Sequence, residues 1–385
     1  MRVLYVTSYP LEYDSSSNVR NLSLIGGMIK NGDIVSTFSP YPTDLKYFTG
    51  QLLDYPFEKR YWIGSHKELN KKEKKLNKPS KLKSILAEWY SKICLYDRRS
   101  RLANLVKTDN VDENFDIVVS SSDPKSAHLI AEKLIESRPT ICKKWIQYWG
   151  DPFTNDITSI KLIPDFLIKK EERRILGKAD KIVYVSPLTA HVAKRMYPEY
   201  TDKIEFYPIP FRVDNVRREF NPQNRLVSYI GDYSSSVRNM QPLIDALNEM
   251  KIPSAIVGDS DIIVKPTEYL IVKKRLIGEE LEEITKKTGV YVCVCNKSGT
   301  QIPGKIYHNV NTGAPILVIL DGEYIEQLKD YLSSFNRYCM CLNKKEDIIR
   351  ELTRIFEDYK PYDIPQQLLP DIIASKFLHN KLDII

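Results

Sequence analysis

The chain has 385 residues, 42% of them apolar and 28% charged, and carries a net charge of +7. That length suits two domains of ordinary size, each able to bury its own core. The mild charge permits contact with nucleotide phosphates or anionic lipid, but it is not the basic excess expected of a DNA-binding chain.

Met1 to Thr7 is a short apolar run, followed by a polar loop from Ser8 to Asn18 and a helical pattern from Val19 to Lys30. Asn31-Gly32 ends that helix, and Ile34-Val35 opens the next strand. Strand, loop, helix and strand at this spacing make a βαβ unit of a parallel sheet. The loop has no G-x-G-x-x-G pattern, so a dinucleotide site of that kind is unsupported. It holds Asp14, the three consecutive serines Ser15 to Ser17, and Asn18, groups as suited to binding hydroxyls as to making turns. An opening strand in place of a signal peptide, with no apolar run near the roughly 20 residues that span a bilayer, predicts a cytoplasmic protein. The six cysteines form no C-x-x-C pair and read as small buried hydrophobes in a reducing compartment.

Residues 50 to 110 interrupt the rhythm. Lys67 to Lys83 is rich in lysine, and Leu86, Trp89, Tyr90, Ile93 and Leu95 lie on a rough helical stripe within Ile85 to Leu105. A basic segment beside an aromatic amphipathic helix suits peripheral contact with the inner face of an anionic membrane; a solvated helical insertion is the other reading. The parallel rhythm then resumes with a strand from Asp116 to Ser120, a helix from Pro124 to Ser137 and a strand from Lys144 to Tyr148. That strand runs into Trp149-Gly150-Asp151-Pro152, a polar turn at a strand's carboxyl end, where α/β sheets meet ligands. Asp151 is the main carboxylate candidate there, with a plain Asp-Pro turn as the alternative. A helix from Phe166 to Gly177, a strand from Lys181 to Val185 and a helix from Leu188 to Met196, capped by Ser186-Pro187, follow. After a strand from Ile204 to Phe206, the turn Tyr207 to Phe211 and the charged stretch Arg212 to Arg225 read as an interdomain linker.

A second series begins with a strand from Arg225 to Ile230, a loop from Gly231 to Ser236 and a helix from Val237 to Met250. Strands from Ser254 to Val257 and Tyr269 to Val272, a helix from Leu281 to Thr288 and a strand from Gly289 to Cys295 continue it. Gly299 to Ile319 then reads as a loop, a helix starting near Pro303, a stop at Gly313 and a buried strand from Pro315 to Leu320. Helices from Glu323 to Tyr331 and Glu346 to Tyr359 flank a strand from Tyr338 to Leu342, and a last helix runs from Gln366 to Leu382. Two polar loops in this half lead into helix N-termini, where free N–H groups and the positive dipole end attract anions. Each carries a basic residue, Arg238 and Lys305. Lys305 alone reads as well as a solvated lysine, whereas the pair can converge on one diphosphate at the carboxyl edge of the sheet.

The stretch Thr300-Gln-Ile-Pro-Gly-Lys-Ile-Tyr-His-Asn309 with Gly313-Ala-Pro-Ile-Leu317 resembles the donor-binding motif of GT-B glycosyltransferases, most closely retaining family 4. Tyr229-Ile-Gly231 with Arg238-Asn239, Val183-Tyr-Val-Ser186 and Ile146 to Pro152 support the resemblance, which spans essentially the whole chain. It implies two Rossmann-like αβα domains facing each other across a cleft. Residues 1–210 would form the acceptor side, with a basic helical insertion at about 50–110. Residues 211–360 would bind the nucleotide sugar, and 361–385 would return as a C-terminal helix to the first domain.

The implied activity is transfer of a sugar, with retention, from a UDP- or GDP-linked donor to a glycan or lipid-linked acceptor in surface-polysaccharide or glycoconjugate synthesis. Arg238 and Lys305 would hold the leaving diphosphate, and Asp151 would orient the acceptor hydroxyl. Gly231, Asn239, Thr300, Gln301, Gly304, Tyr307, His308 and Asn309 would line the donor; Ser17, Asn18, Trp149 and Ser186 would line the acceptor. No metal or other cofactor is expected, and no nucleic-acid partner. The chain departs from the family at its Glu-x7-Glu pair, which falls on Thr300 and His308. The first-domain histidine of many members is replaced around Trp149-Gly150-Asp151. A degenerate GT-B partner subunit that binds nucleotide sugar or glycan without turnover is therefore the alternative. A GT-B epimerase is disfavoured, because only five scattered histidines are present.

Overall fold

Long runs of consecutive apolar residues make strands buried on both faces, and these pair in parallel because helices cover the sheets. A computed structural model describes residues 1–13, 15–42, 55–64, 89–90, 92–107, 109, 111–158, 161–211 and 220–379. The chain divides into two units, Met1–Pro208 with Ile373–Ile385, and Ile209–Ile372.

In the first unit, β1 (Arg2–Val6), β2 (Ile34–Pro40), β3 (Arg60–Ile63), β4 (Phe115–Ser121), β5 (Cys142–Trp149), β6 (Lys181–Tyr184) and β7 (Ile204–Phe206) form a parallel sheet. Its order is β3-β2-β1-β4-β5-β6-β7, so the winding reverses between β1 and β4. The second unit pairs β8 (Leu226–Ile230), β9 (Ser254–Val257), β10 (Leu270–Lys273), β11 (Thr288–Val294), β12 (Ile316–Leu320) and β13 (Cys339–Leu342) in parallel. Their order is β10-β9-β8-β11-β12-β13, with the reversal between β8 and β11. Both units are Rossmann-like, and each reversal opens a crevice at the carboxyl ends of its strands, where such sheets bind ligands.

Helices α1 (Ser16–Lys30), α2 (Ser126–Ser137), α3 (Asp165–Gly177) and α4 (Pro187–Met196) belong to the first unit. Helix α1 starts earlier than its apolar pattern predicts. Ser15 caps it, accepting from the Asn18 N–H at 3.1 Å, so Ser17 and Asn18 lie in the first turn instead of the loop. The second unit holds α5 (Gln241–Met250), α6 (Gly278–Lys287), the single turn α7 (Lys305–His308), α8 (Ile325–Ser333) and α9 (Lys345–Glu357). Ile348, Leu352 and Ile355 of α9, at helical spacing, are buried against its core.

The interrupted region contains an element the sequence reading missed. Arg60–Ile63 is an edge strand whose exposure alternates over four residues, too short a run to show a period. The helix expected from Ile85 to Leu105 does not continue past Ile93. Arg98–Leu105 is a 3-10 helix started by Asp97, which accepts from the Arg99 N–H at 2.8 Å. Lys67 to Lys83, Asp14 and residues 212–219 of the expected linker lie outside the described residues. The last predicted helix is also split, into a 3-10 turn at Gln366–Leu368 and α10 (Pro370–His379), because Pro370 favours the first position of a new helix. Lys181 donates to the Phe377 carbonyl at 3.1 Å, tying the end of α10 to the first unit. Among the described residues, no helix is long and apolar enough to cross a membrane.

Candidate functional site

The reversal between β8 and β11 brings two loops together. Gly231 follows β8 with φ +134°, and Gly258 follows β9 with φ +153°, a region that suits glycine. A β-carbon on Gly258 would stand 2.2 Å from the Gly231 carbonyl, so the two strand ends approach as closely as backbone allows. The loop after β11 delivers Lys305 to the same place: a β-carbon on Gly231 would fall 1.4 Å from its Nζ.

Both expected helix N-termini need correction. The helix near Pro303 is the one turn α7, closed when Thr312 bonds through its N–H and hydroxyl to the Asn309 carbonyl. The buried Arg337 then holds the following segment by donating to the Ala314 carbonyl at 2.9 Å. Helix α5 begins at Gln241, with Pro242 in its first turn, and Arg238 lies before it in a turn whose N–H bonds the Ser234 carbonyl at 2.9 Å. The single turn α7 contributes little dipole, and Arg238 stands outside the first turn of α5. The positive charge of this site resides on side chains.

Lys305 Nζ stands over the Tyr229 ring, 5.5 Å from its centroid, and has no hydrogen-bond or ion-pair partner among the described residues. Burial first, and then the Arg238 charge, depress its pKa from 10.5 to about 8. Arg238 is fixed by donating Nε to the Val294 carbonyl at 3.1 Å and Nη1 to the Asp232 carbonyl at 3.2 Å. The nearby acid, Asp232, is taken by Arg275, whose Nε lies 3.2 Å away, and by the Asp259 N–H at 3.0 Å. Burial would raise its carboxyl, but these partners hold it below the usual range. The crevice is therefore rich in cations whose local anion is already spent.

The remaining donor-side candidates divide. Tyr307 is 1% exposed and shares a hydrogen bond with Tyr331 at 2.9 Å, which makes it a core residue and not a donor contact. Thr300 and Gln301 are buried, and the Gln301 carbonyl accepts from Asn296 at 2.8 Å. Gly304 precedes α7 beside the His308 ring, and both His308 and Asn309 are half-buried. Asn239 is exposed, and its side-chain oxygen accepts from the Gln241 N–H at 3.4 Å.

In the first unit, β5 delivers Trp149, Gly150 and Asp151. Trp149 is fully buried against His128, with ring centroids 4.1 Å apart, and donates to Gln147 at 3.1 Å. It is a core residue, and no acceptor can lie on it. Ser186 is buried as the cap of α4, accepting from the Thr189 N–H at 3.3 Å. Asn18 is buried too, its amide spent on the Pro10 and Tyr13 carbonyls, both at 2.8 Å. Ser17 is partly exposed and meets Ser15 at 3.0 Å.

Asp151 stands in a half-buried charge cluster. Lys125 bonds Asp123 at 3.0 Å and Asp156 at 2.7 Å. Burial and the Asp123 and Asp156 charges push the Asp151 carboxyl up to about 8. Asp156, which Lys125 pairs directly, is held below the ordinary range despite its burial. Buried Glu172 fixes the loop beyond Asp151, accepting from the Phe153 and Thr154 N–H groups at 3.0 and 2.8 Å. Arg275, Asp123 and Lys125 escaped the sequence reading. Arg275 closes a basic run just after an apolar strand, a signal available in the sequence; Asp123 and Lys125 flank a proline and resemble any turn.

No protein-family model and no curated protein matches the chain. Solved structures do. A glycosyltransferase from Rickettsia africae ESF-5 aligns at TM-score 0.54 and 12% identity, over 98% of this chain and 93% of that one. AviGT4, a glycosyltransferase involved in avilamycin A biosynthesis, aligns at 0.52 and 11%, over 98% and 96%. TarM aligns at 0.55 and 8%, over 98% and 95%. At such identities the likeness is one of fold: two parallel-sheet Rossmann-like units, the GT-B fold.

Proposed function

We propose that the protein is a glycosyltransferase that moves a sugar, with retention, from a UDP- or GDP-linked donor to a glycan or lipid-linked acceptor, in the building of surface polysaccharide or another glycoconjugate. The observation that carries this reading is the half-buried Lys305 ammonium beside Arg238, without an anion of its own, at the reversal of the second sheet. A cation drawn out of water costs stability unless it is matched, and a diphosphate would match it. Together the two side chains would neutralise the charge that develops on the nucleoside diphosphate as the sugar departs, with no metal. The first unit would hold the acceptor, with Asp151 at its hydroxyl.

A second reading, a partner subunit that binds nucleotide sugar without turnover, is favoured by Thr300 and His308 where related enzymes carry carboxylates. One panel tests both. Thermal shifts with UDP, GDP, CMP and their sugar conjugates should single out one diphosphate, and Lys305→Ala should abolish the response. Release of free nucleotide from the selected sugar conjugate then separates the enzyme from the silent subunit. No shift with any nucleotide overturns the donor site.

A further inference from the structure

The first unit contains a buried cation that the proposed chemistry does not use. Arg20, in α1, is 6% exposed. Its guanidinium lies over the Tyr148 ring, 5.1 Å from the centroid, and its sole hydrogen bond among the described residues runs from Nη2 to the Ser121 hydroxyl at 3.4 Å. Its Nε is sealed from solvent without a partner, and no carboxylate pairs with it among the described residues. The groups packed around it are neutral: Ser121 donates to Asn21 at 2.6 Å, and Tyr5 donates to Asn21 at 3.1 Å.

An unmatched internal charge is costly; buried Arg337 is held by the Val310 and Ala314 carbonyls, whereas Arg20 has only the distant Ser121 hydroxyl. Here the surroundings make room for the charge without neutralising it. Gly150 lies against it so closely that a β-carbon there would stand 1.8 Å from Nη1. Ser121 and Gly150 lie at the carboxyl ends of β4 and β5, beside the reversal of the first sheet. Arg20 thus presents a planar fork of donors at the ligand edge of this unit, the geometry that suits a carboxylate or phosphate.

We propose that the ligand of the first unit carries an oxyanion, a carboxylate or a phosphate monoester, that seats on Arg20 beside Gly150. This rests on the reading of the first unit as the acceptor-binding half and narrows that acceptor to an anionic one. Lys305 and Arg238 hold a different anion, on the other unit.

The full chain is titrated by thermal shift with glucose, glucuronate and glucose 6-phosphate, with UDP present, and again in Lys305→Ala. An anionic sugar should stabilise both proteins and glucose should not. A response to glucuronate alone assigns a carboxylate, and a response to glucose 6-phosphate alone assigns a phosphate. Arg20→Gln should weaken that response at least about tenfold, as expected for a charge-assisted contact. Gly150→Ala, which keeps the arginine but displaces it, should do the same. Retention of the UDP shift shows that both variants are folded. Equal responses to glucose and the anionic sugars, or an undiminished response in Arg20→Gln, overturn the proposal. So does loss of the UDP shift in a cooperatively folded Arg20→Gln, which would give Arg20 to the donor. Failure of UDP to bind the parent chain overturns the donor site alone, because the Lys305→Ala titration reads the anion independently.

Discussion

The Nζ of Lys305 occupies the space in which a β-carbon on Gly231 would lie, 1.4 Å from that position. The side chain of one loop thus depends on the absent side chain of the other. This packing holds a cation at the carboxyl edge of β8 and β11, and its consequences can be measured.

Replacing Lys305 should trade binding against stability. Its folded pKa of about 8 lies below the ordinary 10.5. Between those values the unfolded chain binds more protons, so apo stability rises with pH there, and below pH 8 the half-buried charge is a constant burden. Lys305→Met should remove that burden, roughly 2–3 kcal/mol after allowance for partial exposure, and raise Tm at pH 7. The same variant should lose its nucleotide shift. Calorimetry with and without UDP checks both, and an apo Tm that falls would refute the account.

Nucleotide affinity of the parent chain should decline as pH climbs past about 8, because Lys305 loses the proton that a diphosphate needs. Titrations from pH 7 to 9.5 measure it. A flat profile would place the phosphate elsewhere.

Gly231→Ala should be damaging in two ways. Its φ of +134° strains any L side chain, and its new methyl displaces the Lys305 ammonium. A loss of about 1–3 kcal/mol together with loss of nucleotide binding is expected from chemical denaturation and titration. Gly32, also at positive φ but with nothing near a β-carbon, provides the comparison: Gly32→Ala should destabilise without touching nucleotide binding.

Asp151 has the opposite linkage. Its folded pKa of about 8 is above the ordinary 3.8, so the folded chain holds the proton more tightly between those values and stability falls as pH rises through that window. Asp151→Asn should flatten the decline of Tm from pH 5 to 9 and leave the variant more stable than the parent at pH 9. If Asp151 serves the acceptor hydroxyl as a base, transfer at saturating donor should rise through about pH 8 and collapse in the same variant.

Chelation should leave the nucleotide shift unchanged, since in the proposed donor site Lys305 and Arg238 would supply the charge that a metal would otherwise bring. Thermal shift with UDP in EDTA, compared with added magnesium, decides the point.

Much of this fold was legible in the sequence because its signals are local. Apolar runs such as Leu226–Ile230 and Ile316–Leu320, each followed by a glycine- or polar-rich turn, demand buried parallel strands whatever else the chain does. Arg238 and Lys305 could be singled out from their places in loops after strands. The short strand Arg60–Ile63 left no period to read, and Pro242 ended the resemblance of Arg238 to a helical residue.

What only the tertiary structure decided is which polar or aromatic side chain is sealed and which is offered. Trp149 and Tyr307 stand next to polar segments, at the end of β5 and in α7, yet face the core, because His128 and Tyr331 from distant helices close over them. Arg20 looks like a solvated residue of α1, and its burial depends on Gly150, 130 positions away in sequence. Secondary structure follows from neighbouring residues, so the chain determined its strands and two sheets by itself. Burial and charge pairing depend on residues far apart in sequence, so the sites emerged only when the sheets brought those residues together.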